Sequence, residues 1–134
     1  MAKNTNPAAE LCPCDSGLPF AACCAPFLSG ESAAPSAEAL MRSRYSAYTR
    51  RDAVYLLHTW HPSTRPDSLE LEGDGLRWLG LKILKRADGG VNDSNGTVEF
   101  VARYKVGGKA GRMHEISRFV REEGKWYYLD GEVS

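Results

Sequence analysis

The apolar residues of this chain recur at helical spacing in its first half and alternate with polar residues in its second half. Met41, Tyr45 and Tyr48 fall at positions i, i+4 and i+7 of a segment without strand-like alternation. This spacing predicts a helix from Ala37 to about Arg50 with these three side chains on one face. Ser36 stands directly before the segment and is a suitable N-cap residue, because its hydroxyl can accept a hydrogen bond from the first turn.

A second helix is predicted from Asp52, a good capping residue, to Trp60. Its apolar residues recur at i, i+3, i+4 and i+7 and form a stripe suited to packing on a sheet: Ala53, Leu56, Leu57 and Trp60. Pro62 should end the helix, because a residue that precedes proline is driven out of the helical conformation. Residues 63–75 are expected to form a loop, with one short helix around Pro66 to Leu69.

In the second half, apolar and polar residues alternate in four segments, which predicts four strands. The alternating residues are Leu79, Leu81 and Ile83; then Val98, Phe100, Ala102, Tyr104 and Val106; then His114, Ile116, Arg118 and Val120; then Tyr127 and Leu129. Glycine-rich turns separate the segments, which is typical of an antiparallel meander. Two helices followed by such a meander predict an α+β fold in which the helices cover one face of the sheet.

The register between the second and third strands depends on how their connection is interpreted. Taking Gly107 to Gly111 as the loop gives three cross-strand pairs: Tyr104 with His114, Phe100 with Arg118, and Arg103 with Glu115. In this register His114 and Arg118 face the helices. Arg103 and Glu115 share the opposite face, where an ion pair is the simplest interpretation.

Composition and charge narrow the classes of protein. A chain of 134 residues that is 43% hydrophobic can build one core. Lysines plus arginines equal aspartates plus glutamates at 17 each, so no global field attracts nucleic acid or acidic membranes. The first ten residues lack the apolar stretch of a signal peptide, and no apolar run is long enough to span a membrane. We therefore expect a cytoplasmic protein.

All four cysteines of the chain, Cys12, Cys14, Cys23 and Cys24, lie in one short window. Four thiols so close can converge on one tetrahedral metal ion, and Zn²⁺ is the usual occupant of such a site. A disulfide between the neighbours Cys23 and Cys24 would be strained. Free or redox-active thiols are the alternative. We expect one zinc ion per chain, held by these four residues.

The Cys-x-Cys-x₈-Cys-Cys spacing, with Ser16-Gly17 between the pairs, resembles the SEC-C zinc motif at the C-terminal end of the SecA preprotein translocase motor. That resemblance implies a small zinc knuckle that docks a protein partner. SecA-type knuckles carry lysines between the cysteine pairs, and those help to dock the acidic chaperone SecB. Here residues 18–22 carry no charge, so docking of SecB loses its electrostatic basis. Nucleic acid is the weakest candidate partner, because only Phe20 is available for stacking.

The sequence suggests three parts: a tail and zinc knuckle over residues 1–28, a linker over residues 29–36, and an α+β domain over residues 37–134. Leu11, Phe20 and Phe27 are available to cover the metal. Because the linker is rich in small residues and has no hydrophobic anchor, we expect the knuckle to be only weakly coupled to the larger domain.

The chain resembles the bacterial YchJ-like family in four segments: residues 39–48, 59–66, 78–81 and 114–128. That family couples an N-terminal SEC-C motif to an NTF2-like domain. The resemblance implies a cone of two helices packed on a four-stranded antiparallel sheet, with a cavity between sheet and helices. It implies no particular activity.

Five side chains are expected to line this cavity: Tyr45, Trp60, His114, Arg118 and Tyr127. An arginine there favours a small anionic ligand, since its planar guanidinium can bind a carboxylate or phosphate through two hydrogen bonds. Two functions are open. The first is a non-enzymatic binding or adaptor protein. The second is an enzyme acting on a small anionic or cyclic substrate, with His114 as base and Tyr45 or Tyr104 as proton donor.

Overall fold

The helices precede the strands along the chain, as the change of spacing predicts. The structure is a computed structural model that describes residues 10–69, residue 71 and residues 75–133. A 3₁₀ turn (Phe20–Ala22) is followed by helices α1 (Ala25–Leu28), α2 (Ala37–Thr49) and α3 (Ala53–His58), and by strands β1 (Leu76–Asp88), β2 (Asn95–Val106), β3 (Lys109–Glu122) and β4 (Lys125–Val133). The strands form one antiparallel sheet in the order β1-β2-β3-β4. The predicted α+β class is confirmed.

Helix α2 is the central helix, and it lies across one face of the sheet. Ser36 caps it as predicted, with its Oγ accepting a hydrogen bond of 3.1 Å from the amide of Ala39. Leu40 is fully buried and belongs to one hydrophobic core with Phe100 and Phe119 of the sheet. None of the helices within the described ranges is long and apolar enough to cross a membrane.

Helix α3 begins at the predicted place and ends earlier than predicted. The carboxylate of Asp52 caps it by accepting a hydrogen bond of 3.0 Å from the amide of Tyr55. Beyond the helix, the amide of Tyr128 donates to Thr59 O and the amide of His61 donates to Tyr128 O, each at 2.8 Å. These bonds to β4 replace further helical bonds, so the predicted extension to Trp60 is wrong. The short helix expected around residues 66–69 is also not formed.

The hairpin between β2 and β3 has a tighter turn than expected. Gly107 and Gly108 have positive φ angles of 58° and 80°, which fits a two-residue hairpin turn. Tyr104 lies opposite Gly111 instead of His114, a register shift of three residues. Because side chains alternate between faces, an odd shift moves every side chain of a strand to the other face.

The expected pairing of β2 with β3 is therefore wrong. The residues of β3 that face the helices are Met113, Glu115, Ser117 and Phe119. His114 and Arg118 lie on the outer face of the sheet. Arg103 lies opposite Arg112, so it forms no cross-strand pair with Glu115.

The pairing of β1 with β2 and of β4 with β3 decides which side chains of β1 and β4 face the helices. In β1 the register shifts between Trp78 and Gly80, which leaves Leu79 between them 42% exposed. The pairing of β3 with β4 shifts between Arg118 and Phe119. Trp126 and Tyr128, on the hairpin side of this shift, pair with Arg121 and Phe119 and pack against the core, whereas the alternation drawn from the sequence followed Tyr127 and Leu129. Neither shift has an obvious signal in the alternation of apolar residues.

The N-terminal segment is packed on the rest of the molecule. Cys12, Cys14 and Cys24 are buried in the same core cluster as Leu40 and Leu81. In the expected linker, residues 29–36, Ala34 is buried. Ala37 directly follows the linker, and its amide donates a hydrogen bond of 2.9 Å to Gly89 O. These contacts differ from the weakly coupled knuckle that the composition of the linker suggested.

Candidate metal centre and cavity

The four cysteine side chains converge on one point. Their Sγ atoms all lie within 4.8 Å of one another, with Cys14 and Cys23 at 3.6 Å and Cys23 and Cys24 at 4.0 Å. Four sulfurs bound tetrahedrally at about 2.3 Å from a zinc ion are about 3.8 Å apart. The donor set therefore fits a tetrahedral metal ion, and the four close cysteines could hold one.

The local backbone explains how a short segment presents these thiols together. Asp15 and Gly17 have positive φ angles of 62° and 86°, so the chain turns sharply after Cys14. The amide of Cys12 then donates a hydrogen bond of 2.8 Å to Leu18 O, which closes the loop. Cys24 is the N-cap residue of α1, so the helix begins directly after the last thiol.

The thiols differ in acidity because they hydrogen-bond one another. Hydrogen bonds with Cys14 and Cys24 lower the pKa of the Cys12 thiol. Hydrogen bonds with Cys12 and Cys14 raise the pKa of Cys24, and burial adds to the rise. Burial is the main cause that raises the pKa of Cys23 to about 11. The thiolate of Cys12 is thus favoured at the expense of Cys23 and Cys24, and a bound cation would favour ionisation of these neighbours.

Polar groups around the cluster are placed to stabilise thiolates. Ser16 Oγ lies 3.1 Å from Cys23 Sγ. Ser46 of α2 places its Oγ 3.5 Å from Cys12 Sγ. Hydrogen bonds to the sulfurs of a metal centre orient the ligands and reduce their charge.

Arg42 of α2 adds a positive charge beside the cluster. Its Nη1 donates a hydrogen bond of 2.7 Å to Cys14 O and lies 4.0 Å from Cys14 Sγ. Its Nε donates to the carboxylate of Glu38 at 2.9 Å. A closed site with four thiolates and a divalent ion carries a net charge of about −2, so a neighbouring guanidinium is electrostatically favourable.

Further contacts bind the knuckle to both the helix and the sheet. The carboxylate of Asp15 accepts a hydrogen bond of 2.8 Å from the amide of Leu81 in β1. The guanidinium of Arg50 lies 4.6 Å from the ring centre of Phe20. Phe20 and Phe27 are partly buried, whereas Leu11 is 68% exposed and does not cover the cluster as expected.

A separate cavity of ≈ 230 Å³ lies between α2 and the inner face of the sheet. Its apolar walls come from Met41, Trp78, Phe100, Ala102 and Met113. Its polar groups are Arg44, Tyr45, Tyr48, Glu115, Ser117 and Tyr128. An apolar pocket with a few converging polar groups is the usual form of a small-molecule site.

Arg44 is the principal charged group of this cavity. It is only 4% exposed, and its Nη1 donates to Leu56 O at 2.8 Å and to Thr59 Oγ1 at 2.7 Å. Its guanidinium lies 5.1 Å from the ring of Trp60 and 4.5 Å from that of Tyr128. Burial lowers the pKa of Arg44. Within the described ranges no carboxylate lies at ion-pair distance from this guanidinium, whereas most buried arginines have such a partner.

Glu115 lies at the hydroxyl of Tyr128 in the same cavity. Its Oε2 accepts a hydrogen bond of 2.7 Å from Ser117 Oγ and one of 3.4 Å from the hydroxyl of Tyr128. Burial raises the pKa of Tyr45 to about 12, and burial also raises the pKa of Tyr48 and Tyr128. The tyrosine hydroxyls are therefore neutral at ordinary pH and can donate hydrogen bonds into the cavity.

The five side chains proposed for the cavity from sequence are not brought together. Tyr45 lines the cavity, and Trp60 lies against Arg44 at its margin. On the outer face of the sheet, His114 is hydrogen-bonded to Glu99 at 2.6 Å, and Arg118 contacts Asp130 at 2.6 and 2.9 Å. Tyr127 packs edge-on against His61, with ring centres 5.9 Å apart.

The five side chains predicted to line the cavity include neither Arg44 nor Glu115, although the sequence contains a signal for each. Arg44 lies three residues after Met41 and four before Tyr48, on the same stripe of α2. A two-residue turn at Gly107-Gly108 would have placed Glu115 toward the helices.

Comparison with sequence families gives two matches that together cover most of the chain. The family described as YchJ, middle NTF2-like domain, matches residues 36–131. The SEC-C motif matches residues 9–26, which include all four cysteines. A UPF0225 protein of Chromobacterium violaceum is 53% identical over 135 residues, covering 98% of this chain and 99% of that protein. A UPF0225 protein of Streptomyces coelicolor is 52% identical over 121 residues, covering 90% and 94%.

Two solved structures share the fold. The solution structure of a SEC-C motif containing protein from Rhodopseudomonas palustris aligns with a TM-score of 0.80 at 38% identity, covering 90% of this chain and 96% of that one. The crystal structure of a SEC-C motif containing protein from Psychrobacter arcticus aligns with a TM-score of 0.77 at 28% identity, covering 96% and 85%. The cysteine cluster, the helices and the four-stranded sheet, together with these matches, show that the chain belongs to the YchJ-like family, in which a SEC-C motif accompanies an NTF2-like domain.

Proposed function

We propose that this protein is a non-enzymatic binding protein, in which a zinc ion holds the N-terminal knuckle on α2 and the cavity beneath α2 receives a small anionic ligand. The observation that carries the proposal is the buried guanidinium of Arg44, which lines the cavity and has no carboxylate at ion-pair distance within the described ranges. A buried charge is costly unless a counter-charge is available. An anionic ligand would supply that counter-charge.

The role proposed for zinc is structural. Cys12, Cys14, Cys23 and Cys24 would fill all four positions of a tetrahedral ion, so no position is left for a reactive water. The ion would balance the charge of the thiolates and keep the knuckle in its packed conformation. Reduced thiols of this kind suit a reducing compartment such as the cytoplasm. A protein partner at the knuckle stays a prediction.

A second candidate function is an enzyme that uses Glu115 as a base. The observation that favours it is the position of this carboxylate inside the cavity, 3.4 Å from the hydroxyl of Tyr128. A carboxylate beside a tyrosine hydroxyl is a usable pair for proton transfer. Ligand-observed NMR would separate the two functions, because a bound compound should persist unchanged for hours with a binding protein and be converted by an enzyme.

The proposed function is tested by thermal denaturation of the zinc-loaded protein with a panel of small anions: acetate, succinate, benzoate and inorganic phosphate. We expect at least one carboxylate to raise the midpoint of wild-type protein, because a ligand that binds the native state stabilises it. Arg44→Met should remove the response. Arg118→Met is the matched control, since Arg118 lies on the outer face of the sheet, and it should keep the response.

A wild-type midpoint that no anion of the panel moves would overturn the proposed binding function. An equal response of Arg44→Met and wild type would do the same. Amide NMR spectra of both variants would establish that they are folded. If Arg44→Met does not fold, Arg44→Lys keeps the charge with a different donor geometry and should weaken carboxylate binding.

A further inference from the structure

We infer that the cavity recognises one ligand class, small aromatic carboxylic acids that carry a hydroxyl or amino group at the far end of the ring. In this arrangement Arg44 binds the carboxylate and Glu115 accepts a hydrogen bond from the hydroxyl or amino group. The inference rests on the proposed function, because it names the ligand of the same cavity. Five features of the cavity support it.

The size of the cavity limits the ligand to about one substituted ring. Its volume is ≈ 230 Å³. Since a water molecule takes about 30 Å³ of the liquid, this space holds about eight water-sized groups. A benzoic acid with one further substituent is of this size, whereas a nucleotide is far larger.

The walls of the cavity suit a flat ring. The indole of Trp78 has its ring centre 5.9 Å from that of Tyr45 and 6.1 Å from that of Tyr48, in edge-to-face and tilted arrangements. Met41 and Met113 supply thioethers to the same walls. Aromatic rings and polarisable sulfurs make favourable contacts with an aromatic ligand.

One end of the cavity carries an arginine with donors to spare. Both hydrogen bonds of Arg44 to Leu56 and Thr59 come from Nη1. Arg44 also interacts with the hydroxyl of Tyr48. A guanidinium has five N–H donors on three nitrogens, so donors remain for a carboxylate. By contrast, Arg118 on the outer face uses its Nε and Nη2 on Asp130.

The other end carries an acceptor. Glu115 Oε2 is occupied by Ser117 and Tyr128, whereas its Oε1 makes no hydrogen bond within the described ranges. A carboxylate oxygen accepts from a hydroxyl or an amino group but repels a second carboxylate. A ligand with acid groups at both ends is therefore disfavoured.

Tyr128 contacts both charged groups. The guanidinium of Arg44 lies 4.5 Å from the centre of its ring, and the carboxylate of Glu115 lies 3.4 Å from its hydroxyl. One charge thus lies against the ring and the other at its hydroxyl. A benzoic acid substituted at position 4 can address both groups, because it carries its acid and its donor at opposite ends of the ring, whereas an α-amino acid has both groups on one carbon.

The test is isothermal titration of the zinc-loaded protein with 4-hydroxybenzoate, benzoate and 4-hydroxybenzyl alcohol. We expect 4-hydroxybenzoate to bind at least about tenfold more tightly than either of the others, because each lacks one hydrogen bond to a charged group. Glu115→Gln should reduce the advantage of 4-hydroxybenzoate over benzoate. Glu99→Gln is the matched control on the outer face, and it should change neither affinity.

Equal affinities for benzoate and 4-hydroxybenzoate in wild-type protein would overturn the inference and leave the proposed function standing. Binding of succinate or phosphate without binding of any aromatic acid would have the same consequence. An unchanged preference in Glu115→Gln would also overturn the assigned role of this residue. Absence of binding by every anion would overturn the inference together with the proposed function.

Discussion

The cysteine cluster and the cavity both use α2, but they differ in how completely their polar groups are satisfied. The cluster contacts Arg42 and Ser46 of the helix, and its four thiols face one another at distances that suit one ion. The cavity is lined by Arg44 and Tyr48 of the same helix, and its charged groups keep hydrogen-bonding capacity unused by the described residues.

This difference is the basis on which we propose a structural role for the cluster and a recognition role for the cavity. A closed set of ligands stabilises the fold and leaves nothing for a further molecule to bind. A buried arginine with no carboxylate at ion-pair distance among the described residues is costly, and a ligand that supplies the charge would reduce that cost. The molecule thus has one site suited to holding the chain together and another suited to binding, supported by adjacent turns of one helix.

Loss of the proposed zinc ion should give the largest effect. Because Cys12, Cys14 and Cys24 belong to the common core, we expect Cys14→Ser, or treatment with a strong chelator, to destabilise the whole protein by more than about 4 kcal/mol. Thermal denaturation and amide NMR under reducing conditions would measure it. If the amide signals of the sheet stay dispersed and the thermal midpoint does not change, the result would instead support the weakly coupled knuckle expected from sequence.

Single substitutions of Arg42 and Arg44 in α2 should show that the cluster contributes to stability and the cavity to anion binding. Arg42→Met loses the hydrogen bond to Cys14 O and the contact with Glu38, which should cost about 1.5–3 kcal/mol and leave anion binding unchanged. Arg44→Met should abolish anion binding at a smaller cost in stability, because the variant also removes a buried charge. Urea denaturation together with titration of benzoate would measure both. Loss of binding in both variants would mean that the two sites are coupled.

The cavity should also make stability depend on alkaline pH. Burial and the nearby charge of Glu115 raise the pKa of Tyr128 above its unfolded value of about 10, although Arg44 opposes the rise. A group that holds its proton more tightly in the native state stabilises that state fully below the unfolded pKa, and the contribution is lost as pH rises through the folded pKa. Stability should therefore fall above about pH 10.

Urea denaturation midpoints across this alkaline range, for wild type and Tyr128→Phe, would measure the effect. The stability of the variant should fall less steeply with pH. It should still fall, because Tyr48 and Tyr55, whose pKa values are also raised by burial, keep their contributions to the pH dependence. Identical pH profiles would contradict the burial of the Tyr128 hydroxyl in the native state.

Substitution on the outer face of the sheet should give the smallest effect. His114 and Glu99 are hydrogen-bonded at 2.6 Å with both side chains partly exposed. Exposed pairs of this kind contribute about 0–1 kcal/mol, so Glu99→Gln should change stability by less than about 1 kcal/mol. Titration of benzoate should be unaffected. A marked loss of binding would mean that the outer face takes part in recognition.

The features predicted correctly from sequence depend on residues close together in the chain. The spacing of Met41, Tyr45 and Tyr48 predicts α2, and the capping groups of Ser36 and Asp52 mark where helices begin. These features are local because helix periodicity and capping involve residues within a few positions of one another. The convergence of the four cysteines is equally local.

The features predicted incorrectly depend on how distant segments meet. Taking Gly107 to Gly111 as the loop predicts a pairing of β2 with β3 that differs from the observed one by three residues. Because this shift is odd, His114 is predicted on the inner face, where the structure has Glu115. The linker composition gave no sign of the hydrogen bond between Arg42 and Cys14, which joins residues 28 positions apart.

The sequence by itself determined the α+β class, the beginnings of the main helices, the four-stranded meander and the group of four thiols, because each is encoded in short-range spacing. Only the tertiary structure decided which face of β3 lines the cavity, that Arg44 is its charged group, and that the knuckle packs into the core. Those outcomes depend on strand register and on contacts across the chain, where a shift of one residue reverses a face and leaves the local pattern almost unchanged.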